Sequence, residues 1–319
     1  MTGTTEVVVI GAGVSGLTTA ACLLDSGVRV RILAAQPPAE TTSAVAGALI
    51  GGQVPGDPDD PATVWNRTSV AEFTRLAEDT DTGVRMARGR MVMRTGDGIP
   101  PWARALSGFA ACSVEDAAGF PVAFRFDSPV VNMPRYLNYL SDRISAAGAK
   151  IEVEPVASLG DLVGSASLVV NCAGLGSMDL AGDPRMMPVR GQHVIVDNPG
   201  LDEFFYERGT GPAVTYYIPH GHRLVLGGTI ERGDDRTVAD EAQISEILAR
   251  CAAVEPRIAG AEVTGVDVGL RPGRSAVRLE FEDVGGLGVV HNYGHAGIGV
   301  ALSWGCAMDV ARLVTSAVS

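Results

Sequence analysis

The chain has 319 residues, 46% of them hydrophobic, with acidic side chains outnumbering basic ones to a net charge of −12. That charge repels polyanions, so nucleic acid and anionic membrane surfaces are not expected partners. The apolar fraction is ample for one large core or two smaller ones. Cys22, Cys112, Cys172, Cys251 and Cys306 lack the paired spacing of a metal site or a disulfide framework.

An apolar strand at 7–10 runs into Gly11-Ala12-Gly13-Val14-Ser15-Gly16, then helix-forming residues 17–26, Gly27 and a second apolar strand at 28–33. Strand, G-x-G-x-x-G, helix and strand within one βαβ unit is the arrangement that binds a dinucleotide. Gly11 allows the turn, Gly13 lets a pyrophosphate approach the backbone, and Gly16 lets the helix pack close to the sheet. The helix N-terminus then offers free N–H groups to the phosphates. The acidic residue expected after the second strand, for the adenosine ribose, is missing. Ala34, Ala35 and Gln36 stand there, which leaves Gln36 or a backbone group for that task. The N-terminus has no basic leader, and no stretch reaches the ~18 apolar residues that span a bilayer. A cytoplasmic protein with no membrane partner is expected.

Next comes a run of small residues, Thr41-Thr42-Ser43-Ala44-Val45-Ala46-Gly47-Ala48, which suits close approach of a ring or a phosphate. Breakers mark a loop at 55–61, a helix is expected at 64–79, and 83–130 alternates short strand-like runs with turns. The sequon Asn66-Arg67-Thr68 is read as idle. Leu137, Leu140 and Ile144 share one face of a helix predicted at 134–147, with Pro134 in its first turn and Gly148 at its end. Ile151 and Val153 start a strand. Residues 168–174 form a buried strand ending in glycine, read as a return to the nucleotide-binding sheet. Short strands follow at 192–196, 214–218 and 223–228, then a helix with Ile244, Ile247, Leu248 and Cys251 on one face. A strand at 287–291, a glycine-rich turn and a helix at 300–314 complete the pattern. The expected fold is α/β. A Rossmann-like dinucleotide domain is built from 1–52, 131–188 and 266–319, beside a sheet-rich α+β substrate domain from 53–130 and 189–265.

Three late motifs stand out: Gly269-Leu270-Arg271-Pro272-Gly273-Arg274-Ser275, His291-Asn292-Tyr293-Gly294-His295-Ala296-Gly297-Ile298-Gly299 and Trp304-Gly305-Cys306-Ala307. Others are Val170-Asn171-Cys172-Ala173-Gly174, Arg190-Gly191-Gln192, Thr215-Tyr216-Tyr217-Ile218-Pro219 and Leu226-Gly227-Gly228-Thr229. With the N-terminal motifs, these make nearly the whole chain closely resemble the D-amino-acid oxidase family. The resemblance implies FAD, a flavin domain and a substrate domain. It also implies oxidative deamination of D-amino acids to 2-oxo acids, ammonia and hydrogen peroxide, by hydride transfer from the substrate α-carbon to flavin N5. Molecular oxygen is the implied acceptor, no metal is implied, and a homodimer stays open as the assembly.

Residue by residue, the resemblance implies that Arg271 binds the substrate carboxylate, the Tyr216 hydroxyl supports it, and the Gly297 carbonyl accepts from the amine. A guanidinium suits a carboxylate because its planar fork makes two charge-assisted hydrogen bonds. No side chain is expected to act as acid or base, since the cofactor carries the hard step. The residues expected around the cofactor are Gly11, Gly13, Val14, Ser15, Gly16, Thr41, Thr42, Ser43, Ala46, Gly47, Ala48, Leu49, Cys172, Ala173, Gly174, Arg271, Ala296, Gly297, Ile298, Gly299, Val300 and Ala301. Apart from the resemblance, Arg271 reads as well as a turn arginine paired with Glu280 or Asp267. Arg274 is read as structural, His220 and His222 as exposed loop residues, and His295 as a neighbour of the flavin edge. Tyr216 and Tyr217 face opposite sides of a strand, with Tyr216 in the pocket.

Two places depart from the family. Four residues before Tyr216, where some members carry a mobile lid tyrosine, stands Pro212 in the glycine-rich stretch 208–212; a more open entrance is expected. D-Aspartate oxidases have a basic residue just after L-G-G-T, whereas Ile230 follows Thr229 here and would leave a second carboxylate unpaired. Neutral or apolar D-amino acids are therefore favoured, with Arg208 and Arg223 as the side chains that could reverse this. The alternatives are a glycine- or sarcosine-type or biosynthetic amine oxidase, a D-aspartate oxidase, a nicotinamide-dependent dehydrogenase, and a flavin-binding protein without activity.

Overall fold

The computed structural model describes residues 6–52, 57–209 and 211–318. The chain runs β1 (Glu6–Ile10), α1 (Val14–Asp25), β2 (Arg29–Ala34), α2 (Pro61–Leu76), β3 (Val84–Met93), β4 (Ala110–Ala111), α3 (Val114–Ala117) and β5 (Val122–Val131). It continues through α4 (Met133–Ala146), β6 (Ile151–Val153), β7 (Leu168–Asn171), α5 (Ser177–Leu180), β8 (Met187–Asp197), β9 (Phe204–Arg208) and β10 (Ala213–His220). The last elements are β11 (Arg223–Thr229), β12 (Glu231–Arg232), α6 (Glu241–Val254), β13 (Val263–Gly273), β14 (Arg278–Val284), β15 (Leu287–Tyr293) and α7 (Gly299–Val318).

The smaller of two sheets has six strands in the order β14-β15-β7-β1-β2-β6. Its pairings are parallel except β14 with β15. Val7, Val8 and Val9 are fully buried, as strands covered on both faces must be. One face packs against the apolar sides of α1, α2, α4 and α7, and the other against Leu159 and Leu162. The predicted β1-α1-β2 unit is present. Because β1, β2, β7 and β15 run in one direction, the segments that follow them meet at the carboxyl end of the sheet, where ligands of such sheets bind.

Helix α7 corrects one expectation. The stretch Ala296–Ala317 is, by length and composition, apolar enough to cross a bilayer. Ser303, Gly305, Asp309 and Arg312 interrupt its apolar run in sequence, which hid it. Its apolar side chains are used in the core, where Trp304, Ala307, Val310 and Val314 are buried against α1 and α2.

The larger sheet has nine strands, β12-β8-β11-β10-β9-β3-β5-β4, with β13 also paired to β8. Among the described residues, only β3 with β9 is a parallel pair in it. Where short runs and turns were expected over 83–130, β3 and β5 pair over ten residues each. The arginines and glycine of β3 break its apolar pattern in sequence, but they are engaged by neighbouring strands and by α3. Arg88 pairs with Asp127 at 3.0 Å, Arg90 donates to the Asp116 carbonyl, and the Phe204 ring packs on Gly89. Strands β9, β12, β13 and β14 were not foreseen, and Arg271, expected in a turn, lies within β13. Because β13 lies in this sheet, the boundary expected at residue 266 falls inside a strand. The loop expected at 55–61 lies partly outside the described residues; within them, the Asp60 carboxylate caps α2 by accepting from Ala62 N at 2.9 Å. Asn66 of the sequon is buried in α2 and donates to the Ala301 carbonyl at 3.0 Å.

Candidate active site

A cavity of about 890 Å³ opens at the carboxyl end of the six-stranded sheet and is walled by both sheets. Gly11 has φ 107°, and a Cβ there would sit 2.5 Å from the Cys172 carbonyl oxygen. Helix α1 starts at Val14 with Gly13 as its cap, no capping side chain and no acidic residue in its first turn. Val14 N donates to Ser43 Oγ at 3.0 Å, which ties the small-residue segment to the helix start. The positive end of α1 thus faces the cavity, as an anion site requires. This cradle of close backbone and open N–H groups fits the pyrophosphate of a dinucleotide.

Of the residues expected around the cofactor, all line this cavity except Gly16. Gly16 turns away from it: an added Cβ would overlap the Gly11 carbonyl, so this glycine lets α1 close onto the β1 turn. Ala34, Ala35 and Gln36 line the wall beyond β2 without a carboxylate. Asp179, on α5 at the same end of the sheet, also lines it and has no side-chain partner among the described residues. The sequence reading missed it.

Arg271 lies on the wall from β13, with Nη1 donating to the carbonyls of Arg190 at 3.2 Å and Thr229 at 3.1 Å. Its guanidinium rests on Gly191, where an added Cβ would overlap it. No carboxylate pairs with it among the described residues. Glu280 pairs with Arg278 at 2.6 Å and Asp267 with His193 at 3.1 Å, so the turn-arginine alternative has no partner left. The Tyr216 ring lies against Gly227, and burial pushes its phenol up to about 12, with nearby Arg271 pulling the other way. Tyr217 points to the opposite side and stacks on Phe205 at 5.5 Å in the core. Gly297 lines the cavity beside Arg271; a Cβ on it would be 3.4 Å from Arg271 Cδ.

Arg274 is structural, paired at 2.9 Å with the buried Asp183, which also accepts from the Tyr293 hydroxyl at 3.1 Å. His222 is exposed, but His220 is not the loop residue expected. It ends β10, lies 3.4 Å from the Gly47 carbonyl, and burial lowers it to about 4. His295 lines the cavity and is likewise lowered to about 4 by burial, so it is neutral. Arg208 and Arg223 are absent from the wall; Arg208 donates to the Gly52 carbonyl and covers the Trp102 ring. Pro212 is exposed and off the wall, and Thr210 in that stretch lies outside the described residues.

Missed on the wall were Tyr206, stacked on Tyr216 at 6.2 Å, the His193–Asp267 pair, and Arg232. Period two could have found the pair. Asp267, Gly269 and Arg271 share a face of β13, as Val189, Gly191 and His193 do on β8.

The chain matches a family model described as FAD dependent oxidoreductase over residues 6–313. A D-amino-acid oxidase of Rubrobacter xylanophilus is 44% identical, covering 98% of this chain and 96% of its own length. A D-aspartate oxidase of Homo sapiens is 36% identical, with 99% and 96% covered. Among solved structures, glycine oxidase from Bacillus cereus superposes with a TM-score of 0.81 at 21% identity, over 98% of this chain and 95% of its own, a likeness that bears on the fold alone. With a dinucleotide cradle in place and the match running nearly end to end, the chain belongs to the D-amino-acid oxidase family of FAD-dependent oxidoreductases.

Proposed function

We propose that the chain deaminates D-amino acids oxidatively to 2-oxo acids and ammonia, with molecular oxygen taking the two electrons to give hydrogen peroxide and water hydrolysing the imino acid. Arg271 carries this reading. It is a half-buried cation on the cavity wall with no carboxylate partner among the described residues, and one nitrogen is already tied to two carbonyls. An α-carboxylate would satisfy its remaining donors and its charge. Tyr216, a phenol that burial holds further above its ordinary range, donates to that carboxylate and is no base near neutral pH. The Gly297 carbonyl, beside Arg271, accepts from the amine, which reacts in its neutral form. Two fixed anchors orient the α-carbon, and the side of the pocket open to the side chain selects the D-isomer. Bound FAD supplies the two-electron acceptor for the α C–H bond. Val189, Val214, Ile230 and Tyr206 add apolar surface to the wall, which favours neutral side chains.

Anaerobic mixing of the yellow protein with matched D- and L-amino acids, glycine and sarcosine tests this. Bleaching by neutral D-isomers is expected. Bleaching by glycine or sarcosine alone would transfer the protein to the amine oxidases, and no bleaching at all would sink the substrate class.

A second reading, acidic D-amino acids, is favoured by Arg232. Arg232 on β12 and Arg271 on β13 are both in register with Val189, on its two flanks, so the three share the cavity face. Arg232 has no partner among the described residues, whereas Glu231 and Asp234 are taken by Arg190 and Arg236. If Arg232 meets a second carboxylate, Arg232→Ala lowers kcat/KM for D-aspartate by about fivefold, the worth of a largely exposed ion pair, and leaves D-alanine unchanged. An equal change for both substrates would remove Arg232 from side-chain recognition.

A further inference from the structure

Beneath the wall, on the far face of β8, lies a second guanidinium. Arg190 is fully buried and all five of its N–H donors are used, the full capacity of the group. Nε donates to the Arg236 carbonyl at 3.0 Å. Nη1 donates to Glu231 at 2.6 Å and to Gln243 Oε1 at 2.9 Å, and Nη2 to Gln192 Oε1 at 2.7 Å and to the Val238 carbonyl at 2.8 Å. Gln243 Nε2 closes the ring by donating to the other Glu231 oxygen at 2.8 Å. The result clamps the 231–240 loop onto β8.

This clamp meets Arg271 at two residues. Arg271 Nη1 donates to the backbone carbonyls of Arg190 itself and of Thr229. The Thr229 hydroxyl accepts from Gln192 N at 3.0 Å and donates to Glu231 at 3.4 Å. So the two carbonyls that receive Arg271 belong to residues held from below by one carboxylate and one buried cation. A buried ion pair adds little net stability over apolar packing. What this one supplies is a fixed place for those carbonyls.

We propose that Arg190 and Glu231 are positioning residues for Arg271. By fixing the carbonyls that capture Nη1, they leave Nε and Nη2 aimed at the substrate carboxylate. This rests on the reading of Arg271 as the carboxylate anchor.

The test uses the holoenzyme with Glu231→Gln, which keeps the shape and removes the charge. Propanoate is titrated against the flavin absorption spectrum, and KM and kcat are measured with D-alanine. The propanoate Kd and the KM for D-alanine are expected to rise tenfold or more. The kcat at saturation should stay within about threefold, and FAD content should be unchanged. An unchanged propanoate Kd beside a lowered melting temperature would overturn the proposal, because the clamp would then only support the fold. If Glu231→Gln does not fold, Thr229→Val, which removes only the hydroxyl link, carries the same expectation. The titration needs no turnover. A wild-type flavin that propanoate perturbs but D-alanine does not reduce would sink the oxidase reading and leave the positioning standing. A wild-type spectrum that propanoate does not move would remove the anchor, and the proposal with it.

Discussion

Arg271→Ala should give a folded, yellow protein whose flavin D-amino acids reduce far more slowly. Truncating one partner of a desolvated, hydrogen-bonded charge pair costs roughly 2–5 kcal/mol, so kcat/KM should fall about 30-fold to several thousandfold. The cofactor should stay, because the close-approach glycines and the α1 N-terminus that form its cradle lie elsewhere. Arg271→Lys should recover only part of the loss, since an ammonium restores the charge without the planar fork. Visible flavin absorbance and steady-state kinetics on the three proteins decide it. Loss of FAD from the alanine variant would place Arg271 with the cofactor instead. Near-normal kcat/KM would remove it from substrate binding.

Gly191→Ala should cost nearly as much while leaving every charge in place. A Cβ at residue 191 would overlap the Arg271 guanidinium, which must lift off the strand and away from the Arg190 and Thr229 carbonyls. Misplacing a binding group by ~1 Å can cost about 100-fold in rate, and that is the expected fall in kcat/KM. The overpacking itself should cost about 1–3 kcal/mol of stability. Gly209→Ala is the control, because a Cβ there meets nothing within 4 Å among the described residues, and its kinetics should match the parent. If Gly191→Ala turns over D-amino acids at the parent rate, the guanidinium does not lie on this strand.

The contrast between Gly13 and Gly191 shows what sequence can convey. Gly13 stands in a spaced motif between strand and helix, so local order alone reveals its task. Gly191 serves a side chain eighty residues away, and nothing near it in sequence says so. Arg271 and Tyr216 were found through resemblance, and their meeting depends on β10, β11, β8 and β13 lying side by side in that order. Arg232, Tyr206 and Asp179 escaped because long-range strand register and the path after β7 place them on the wall. The long β3 and β5 strands were misread because polar side chains satisfied across strands break the apolar pattern when read along one strand.

The cavity wall gathers residues 11–15, 41–43, 45–49, 172–174 and 296–301, segments that stand far apart along the chain. A molecule seated there ties the beginning of the chain to its last helix, and those contacts vanish when the chain opens. Free cofactor at 100 times its dissociation constant would add about 2.7 kcal/mol to the cost of unfolding. The supply of flavin in the cell would therefore set how long each copy of the protein survives proteolysis, apart from any effect on how fast it works.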